Sequence, residues 1–228
     1  NTSLLAGSKI LVTAGPTREP IDPVRFMSNY SSGKMGYEVA IAAKTMGASV
    51  KLISGPVSLD PVKGVETQYV ETSNEMYEAV MSNAKDFDIL ISTAAIADYK
   101  PANYSKTKYK KNQNNISIEF KRGIDIISTV SNKYKNIYTV GFAAETDSLK
   151  KNSLDKLTKK NLNMIVGNIA NHELKLGFES DYNEVTIFTK NKSLKIELSK
   201  KSEIAKKVLN VIADDYSSNI KLINKNAK

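Results

Sequence analysis

The sequence contains no cysteine and a single histidine, His172, among its 228 residues. The absence of cysteine excludes disulfides, thiolate metal sites and a cysteine nucleophile. One histidine is too few for a multi-histidine zinc site, and it leaves no spare base for a Ser-His-Asp triad. Any chemistry must therefore rest on Lys, Arg, Asp, Asn and backbone amides, and we expect His172 to be a structural loop residue.

Long apolar runs are also missing. No stretch approaches the roughly 20 residues that a bilayer-spanning helix requires. The leading segment 1–10 has neither the basic start nor the apolar core of a secretory signal. We therefore expect a cytoplasmic protein with no membrane partner. The length and the 41% hydrophobic content suit a single α/β domain over 1–228, in which 217–228 forms a basic, flexible tail.

Basic residues outnumber acidic ones by 33 to 24, which gives a formal net charge of +9. A surplus of this sign suits an anionic partner such as nucleic acid, a membrane surface or a phosphorylated small molecule. The lysines cluster at 106–111, at 150–160 and in the tail. Much of this charge is expected to be solvated surface, so the two internal clusters carry the functional interest.

Short β-rich runs alternate with segments of helical period along most of the chain. Strands are predicted at 9–14, 49–55, 66–70, 87–93, 116–120, 137–142 and 163–168. Helices are predicted at 36–47, 73–84 with Ser73 as N-cap, 124–134 and 148–161. A hairpin of 184–190 and 193–199 follows, and then a helix over 201–216. This order predicts an α/β fold: a three-layer, Rossmann-like, doubly wound, mostly parallel sheet with a C-terminal β-hairpin and helix.

One loop stands out by its length, because residues 15–36 separate the first strand from the first helical segment. Such loops usually have about 2 to 6 residues, and longer ones tend to be functional. In doubly wound sheets, ligands bind outside the carboxyl ends of the strands, where this loop lies. Its end, "NYSSGKMG", offers consecutive backbone N–H groups, and Gly33 and Gly36 permit close approach of an anion. The loop therefore predicts a phosphate or carboxylate cradle, beside which the Asn29 amide is a further donor.

Charged and aromatic residues follow other strands of the predicted sheet. Asp98 lies in "AAIADYKP" ahead of a lysine-rich loop. A carboxylate there can help to hold a divalent cation beside phosphates, although an isolated loop Asp is commonly a turn residue. Lys156 and Lys160 lie four residues apart on one helix face, where a bound triphosphate would relieve their repulsion. Phe142, at a strand end, is a candidate to pack on a base and equally a candidate core residue.

Two other functions remain open at this point. For a nicotinamide-dependent oxidoreductase of Rossmann type, the first loop lacks G-x-G-x-x-G and the second strand ends without a ribose-binding acid. Tyr-x-x-x-Lys pairs occur at Tyr30 and Lys34 and at Tyr104 and Lys108, but neither pair lies in a convincing helix. A P-loop is excluded because Met35 stands where magnesium needs Ser or Thr. A basic nucleic-acid-binding protein has the charge, but no recognition helix or stacking surface is evident.

Five segments resemble one family in order and spacing, and the resemblance covers about 9–215. They are "TAGPTREPIDPVRFMSNYSSGKMG", "SGPVSL", "AAIADYKP", "GFAAET" and "KKNLNMIVGN". The family is phosphopantothenate-cysteine ligase, also called phosphopantothenoylcysteine synthetase, of coenzyme A biosynthesis. In many bacteria it is the C-terminal half of a bifunctional protein whose other half is a flavin-dependent phosphopantothenoylcysteine decarboxylase. The resemblance implies that 1–8 is a linker remnant.

The resemblance implies a two-step reaction whose substrates are 4'-phosphopantothenate, L-cysteine and CTP, with Mg²⁺. Phosphopantothenate attacks the α-phosphorus of CTP to give an acyl-cytidylate, and the amine of cysteine then displaces CMP. It also implies a homodimer in which the segment 104–120 reaches toward the partner. The loop 103–115, rich in lysine and asparagine, is our candidate for a lid.

The resemblance further implies roles for individual residues. Asn29 and Lys108 match catalytic positions. The nucleotide-binding positions are Ala94, Asp98, Lys108, Asp125, Ile126, Ile127, Ser128, Phe142, Lys156 and Lys160. The substrate-binding positions are Gly15, Arg25, Asn29, Ser32 and Gly33, and Asp98 is the candidate metal ligand together with the CTP phosphates. The "DIIS" segment departs from the family, because Ile124 stands where many members carry a proline.

Overall fold

A computed structural model of the chain describes residues 4–110, 115–169 and 180–226. The strands are β1 (Lys9–Ala14), β2 (Arg18–Pro20), β3 (Phe26–Ser28), β4 (Ser49–Ser54), β5 (Glu66–Tyr69), β6 (Ile89–Ser92), β7 (Tyr99–Pro101), β8 (Phe120–Arg122), β9 (Tyr138–Glu145), β10 (Met164–Ile169), β11 (Tyr182–Thr189) and β12 (Ser193–Lys200). The helices are α1 (Lys34–Thr45), α2 (Ser73–Asn83), α3 (Ile126–Lys133), α4 (Leu149–Lys159) and α5 (Lys201–Asn226), with a 3₁₀ turn at Ala84–Asp86.

Eight of these strands form one sheet in the order β12-β11-β10-β9-β6-β1-β4-β5. Six neighbouring strands pair in parallel, namely β10, β9, β6, β1, β4 and β5. At one edge, β11 pairs antiparallel with β10 and with β12. If these six strands are numbered 1 to 6 along the chain, their order across the sheet is 3-2-1-4-5-6. This is the arrangement of a doubly wound sheet. The predicted α/β fold, with its C-terminal hairpin and helix, is confirmed.

Alternating side chains of the sheet supply two separate cores. Ile10, Val12, Val140 and Val166 point to the face that α1 and α5 cover. Leu11, Leu90 and Ile165 point to the opposite face, which α2, α3 and α4 cover. Buried strands with apolar residues on both faces are typical of parallel sheets. The two faces are called the α1/α5 face and the α3/α4 face below.

Local chemistry explains where α2 begins. Thr72 is its N-cap: the hydroxyl accepts a hydrogen bond from the Glu75 N–H at 3.2 Å, and the Glu75 carboxylate accepts from the Thr72 N–H at 3.3 Å. This reciprocal pair is a capping box. The prediction of Ser73 as the cap was wrong by one residue. Ser73 is buried, and its own N–H donates to the Glu19 carboxylate at 2.9 Å.

Other boundaries also differ from the predictions. The strand expected at 116–120 begins only at Phe120, where β8 pairs with β7 in a small ribbon outside the main sheet. The helix expected over 201–216 continues to Asn226, across much of the segment expected to be a tail. In the described part of the chain, no helix is both long and apolar enough to span a bilayer. His172 lies outside the described residues.

Candidate active site

A cavity of about 380 Å³ lies at the carboxyl edge of the sheet. It is centred where the strand order reverses, between β1 and β6, which is the position that doubly wound sheets use for ligands. Its walls come from the loops after β1 and β6, the first turns of α1 and α3, the end of β9 and one face of α4. Segments far apart in the sequence therefore form one site.

Hydrogen bonds fasten the loops after β1 and β6 to each other. The Ala95 N–H donates to the Gly15 carbonyl at 2.9 Å, and the Thr17 N–H donates to the Ala95 carbonyl at 3.3 Å. The same Ala95 carbonyl accepts from the Asn29 side-chain amide at 2.7 Å. This hydrogen bond fixes the orientation of the Asn29 side chain at the edge of the cavity.

The end of the first loop, where an anion cradle is predicted, lines the cavity. Gly33 is the N-cap of α1, with φ of 78° in the left-handed region that favours glycine. Gly36, in the first turn, packs so closely on Ala14 and Thr93 that a Cβ atom there would collide with both. The first turn of α1 lines the cavity, and a helix N-terminus favours an anion.

Lys156 and Lys160 line the cavity from the α3/α4 face. The Lys156 ammonium lies 2.6 Å from the Glu145 carboxylate, and the Lys160 ammonium lies 2.9 Å from Asp125. Asp125 is also the N-cap of α3, where it accepts from the Ser128 N–H at 3.2 Å. Both lysines therefore have acidic partners, and their expected repulsion is already offset before any ligand binds.

Most of the predicted site residues meet in this cavity. Those that line it are Asn29, Ser32, Gly33, Ala94, Asp98, Asp125, Ile126, Ile127, Phe142, Lys156 and Lys160. Phe142 lies on the α1/α5 face, packed against that core, and not on the face of the two lysines. Four predicted residues do not line the cavity, namely Gly15, Arg25, Lys108 and Ser128. Of these, Gly15 packs with its backbone against Gly33, next to the cavity.

Arg25 has partners of its own. Its guanidinium lies 2.7 Å from the Asp22 carboxylate and donates to the Tyr109 carbonyl at 2.9 Å. Burial would raise the pKa of Asp22, but hydrogen bonds donated by the N–H groups of Val24 and Tyr109 and by Arg25 lower it to about 2. This cluster anchors the loop that carries the exposed Lys108.

Asp98 is exposed at the cavity edge, where its carboxylate is available to a cation. Within residues 4–110, 115–169 and 180–226, no three acidic or histidine side chains are grouped so that they hold a metal ion. A cation beside a single carboxylate needs further ligands, and Mg²⁺ commonly takes these from phosphate oxygens and water.

Three of the residues that line the cavity on the α1/α5 face were not among the predicted site residues. Lys34 and Lys201 are the first residues of α1 and α5, and Asn168 lies near the end of β10. Burial, together with the charge of Lys34, lowers the pKa of the Lys201 ammonium to about 8, against the opposing effect of Asp181. The segment with Asn168 was expected at the carboxyl edge, but nothing marks Lys201 as buried among so many lysines.

Comparison with known proteins identifies the family. The model of the DNA/pantothenate metabolism flavoprotein C-terminal domain matches residues 5–216. The chain belongs to this family. A crystal structure of the C-terminal domain of the coenzyme A biosynthesis bifunctional protein CoaBC is 39% identical, with a TM-score of 0.81, and the match covers 95% of this chain and 99% of that one.

Two further proteins are similar to this chain. CoaBC of Vibrio parahaemolyticus is 46% identical over 90% of this chain and 52% of its own length. The chain thus spans about half the length of the curated relatives it matches. Cab2, solved as the H337A mutant with phosphopantothenate-cysteine, is 15% identical with a TM-score of 0.78, over 96% of this chain and 90% of that one, and this likeness shows the fold.

Proposed function

We propose that this domain is a phosphopantothenate-cysteine ligase that joins 4'-phosphopantothenate to L-cysteine with CTP. The observation that carries the proposal is the CoaBC C-terminal domain similarity over 95% of the chain, together with a switch-point cavity that has cations on both faces and a helix N-terminus between them. A carboxylate, a triphosphate and an amino acid together require these groups.

In the first step, a carboxylate oxygen of phosphopantothenate attacks the α-phosphorus of CTP, and the bond to the β-phosphate breaks. Pyrophosphate leaves, and an acyl-cytidylate remains. Lys156 and Lys160 hold the triphosphate from the α3/α4 face, and Asp98 is the residue that would hold Mg²⁺. Such a cation would neutralise charge on the phosphate oxygens. Lys108 is exposed and does not line the cavity, so it contacts the triphosphate only after its loop moves inward.

In the second step, the amine nitrogen of cysteine attacks the acyl carbon, CMP leaves, and the amine proton passes to solvent. Asn29 lines the cavity and is held there by its hydrogen bond to the Ala95 carbonyl. We assign it a contact with the acyl-cytidylate. The N–H groups at the start of α1, next to Gly33, stabilise oxygen charge near the reacting group. Catalysis is then mainly positioning and charge neutralisation.

The assembly is also part of the proposal. The domain functions as a homodimer, and the loop 103–115, of which 111–114 lie outside the described residues, acts as a lid. Arg25, Ser32 and Gly33 contribute to the phosphopantothenate pocket. The domain is fused to, or works with, a flavin-dependent phosphopantothenoylcysteine decarboxylase that consumes its product. The oxidoreductase alternative gains no support, because Tyr30 precedes α1, whereas Tyr104 and Lys108 lie outside any helix.

Pyrophosphate release tests this function. The unmodified chain, with CTP, Mg²⁺ and 4'-phosphopantothenate, should release pyrophosphate only when phosphopantothenate is present, and turnover should increase when cysteine is added. Asn29→Ala should release about one equivalent and accumulate the acyl-cytidylate. Asn191→Ala, in the exposed β11–β12 turn, is the matched control and should behave as the unmodified chain does. Release that is indifferent to phosphopantothenate would contradict the proposal.

A further inference from the structure

Arg122 lines the cavity, but the proposed function gives it no role. It is the last residue of β8, and it is exposed at the edge of the cavity, ahead of α3. It was not among the predicted site residues, because one basic residue in "EFKRGID" is inconspicuous in a chain with 33 of them. Exposed arginines are mostly solvated surface residues. What sets Arg122 apart is its surroundings.

Backbone contacts hold Arg122 beside the Asp98 loop. In the ribbon of β7 and β8, Arg122 is paired with Tyr99, the residue that follows Asp98. The Gly123 N–H donates to the Asp98 carbonyl at 2.7 Å. A Cβ atom at Gly123 would lie 3.0 Å from the Ala97 carbonyl oxygen, so the two segments are in close contact there. Arg122 is therefore fixed on both sides next to Asp98.

The side chain of Arg122 has no partner of its own. In the described parts of the chain, which are 4–110, 115–169 and 180–226, its guanidinium makes no hydrogen bond, ion pair or aromatic contact. The two lysines of α4 differ, because their ammonium groups lie 2.6 and 2.9 Å from acidic partners. A phosphate must compete with a carboxylate for each of those lysines. The planar fork of the Arg122 guanidinium is unoccupied and suits phosphate oxygens.

The neighbours of Arg122 indicate which phosphates it meets. On one side is Asp98, the residue that would hold Mg²⁺. On the other side the loop leads to Asp125, which caps α3 and lies 2.9 Å from the Lys160 ammonium. Both neighbours belong to the part of the cavity that is assigned to the triphosphate. Nucleotide-bound Mg²⁺ commonly bridges the β- and γ-phosphates, so a residue next to Asp98 is placed for those two.

We propose that Arg122 binds the β- and γ-phosphates of the nucleotide and so holds the pyrophosphate that leaves in the first step. This inference rests on the proposed function, which assigns the triphosphate to this cavity. As the carboxylate oxygen bonds to the α-phosphorus, the bond from that phosphorus to the α,β-bridging oxygen breaks, and its electron pair stays on the leaving oxygen. A guanidinium beside the leaving pyrophosphate stabilises this developing charge.

Calorimetric titration of the full chain with CTP and with CMP tests the assignment, because CMP lacks the β- and γ-phosphates. With Mg²⁺ present, the unmodified chain should bind CTP more tightly than CMP. Arg122→Gln should reduce this preference by about 10-fold to 30-fold, the lower part of the range of a charge-assisted hydrogen bond, because the residue is open to solvent. The affinities for CMP and for phosphopantothenate should be unchanged. In turnover, the loss should appear in the KM for CTP.

Two more variants complete the test. Arg122→Lys keeps the charge without the fork, so its preference for CTP should lie between those of the unmodified chain and Arg122→Gln. Lys121→Gln is the matched control and should leave the preference unchanged, because Lys121 is exposed, does not line the cavity and lies on the opposite face of the ribbon.

Three results would overturn the assignment: Arg122→Gln weakens the binding of CTP and CMP equally, it behaves as the control does, or it lowers the affinity for phosphopantothenate instead. Failure of the proposed function is a separate result. It would appear as an unmodified chain that releases no pyrophosphate from CTP when phosphopantothenate is present.

Discussion

Replacing Lys201 by methionine should stabilise the domain. The ammonium is buried at the start of α5, where burial and the charge of Lys34 lower its pKa from the ordinary 10.5 to about 8. At about 1.4 kcal/mol for each pKa unit, this lowering corresponds to about 3 kcal/mol of folding free energy at neutral pH. Methionine has a similar length and no charge. After allowance for the lost attraction to Asp181, we expect a gain of roughly 1 to 3 kcal/mol.

The pH dependence gives the sign that distinguishes this cause from simple repacking. Between pH 8 and 10.5 the unfolded chain binds more protons at Lys201 than the folded one, so the stability of the unmodified domain rises with pH across this window. The advantage of Lys201→Met should therefore be greatest at pH 7 and disappear near pH 10.5. Urea unfolding of both chains at pH 7, 9 and 10.5 measures it. A gain that is independent of pH would refute the reasoning.

Three further predictions concern other parts of the fold. Gly36→Ala should lower stability by about 1 to 3 kcal/mol, because the added methyl group collides with Thr93; an unchanged melting temperature would contradict the packing. Thr72→Ala should cost about 1 kcal/mol in urea unfolding through loss of the capping box with Glu75, and no loss would mean that another group caps α2. Since the pKa of Asp22 is about 2 when folded, stability should fall as pH drops from about 4 to 2, and Asp22→Asn should flatten this part of the acid-unfolding profile.

The sequence predicted the sheet because its strands are continuous apolar runs. Lys9–Ala14 and Ser49–Ser54 are close to their predicted bounds, and the carboxyl-end loops converge because parallel strands bring them to one edge. The capping residue was misplaced because Thr72 and Ser73 have similar propensities, and only the bond to Glu75 decides between them. Local propensity is uninformative where two adjacent residues can serve as caps.

The site was harder to predict where tertiary contacts decide it. The partners of Lys156 and Lys160 are Glu145 and Asp125, which lie 11 and 35 residues away in the sequence, so periodicity shows only the repulsion between the lysines. Phe142 lines the cavity, as its position at a strand end predicted. The face of the sheet on which it lies is decided by the register of β9. Burial of Lys201 depends on the packing of α5 against α1, which no local pattern reveals.

The most direct test of the ligase assignment is detection of the product. The unmodified chain should be incubated with 4'-phosphopantothenate, L-cysteine, CTP and Mg²⁺ and the mixture analysed by mass spectrometry. We expect 4'-phosphopantothenoylcysteine, with one CMP and one pyrophosphate formed for each molecule of product. A folded chain that forms no such amide with either CTP or ATP would contradict it.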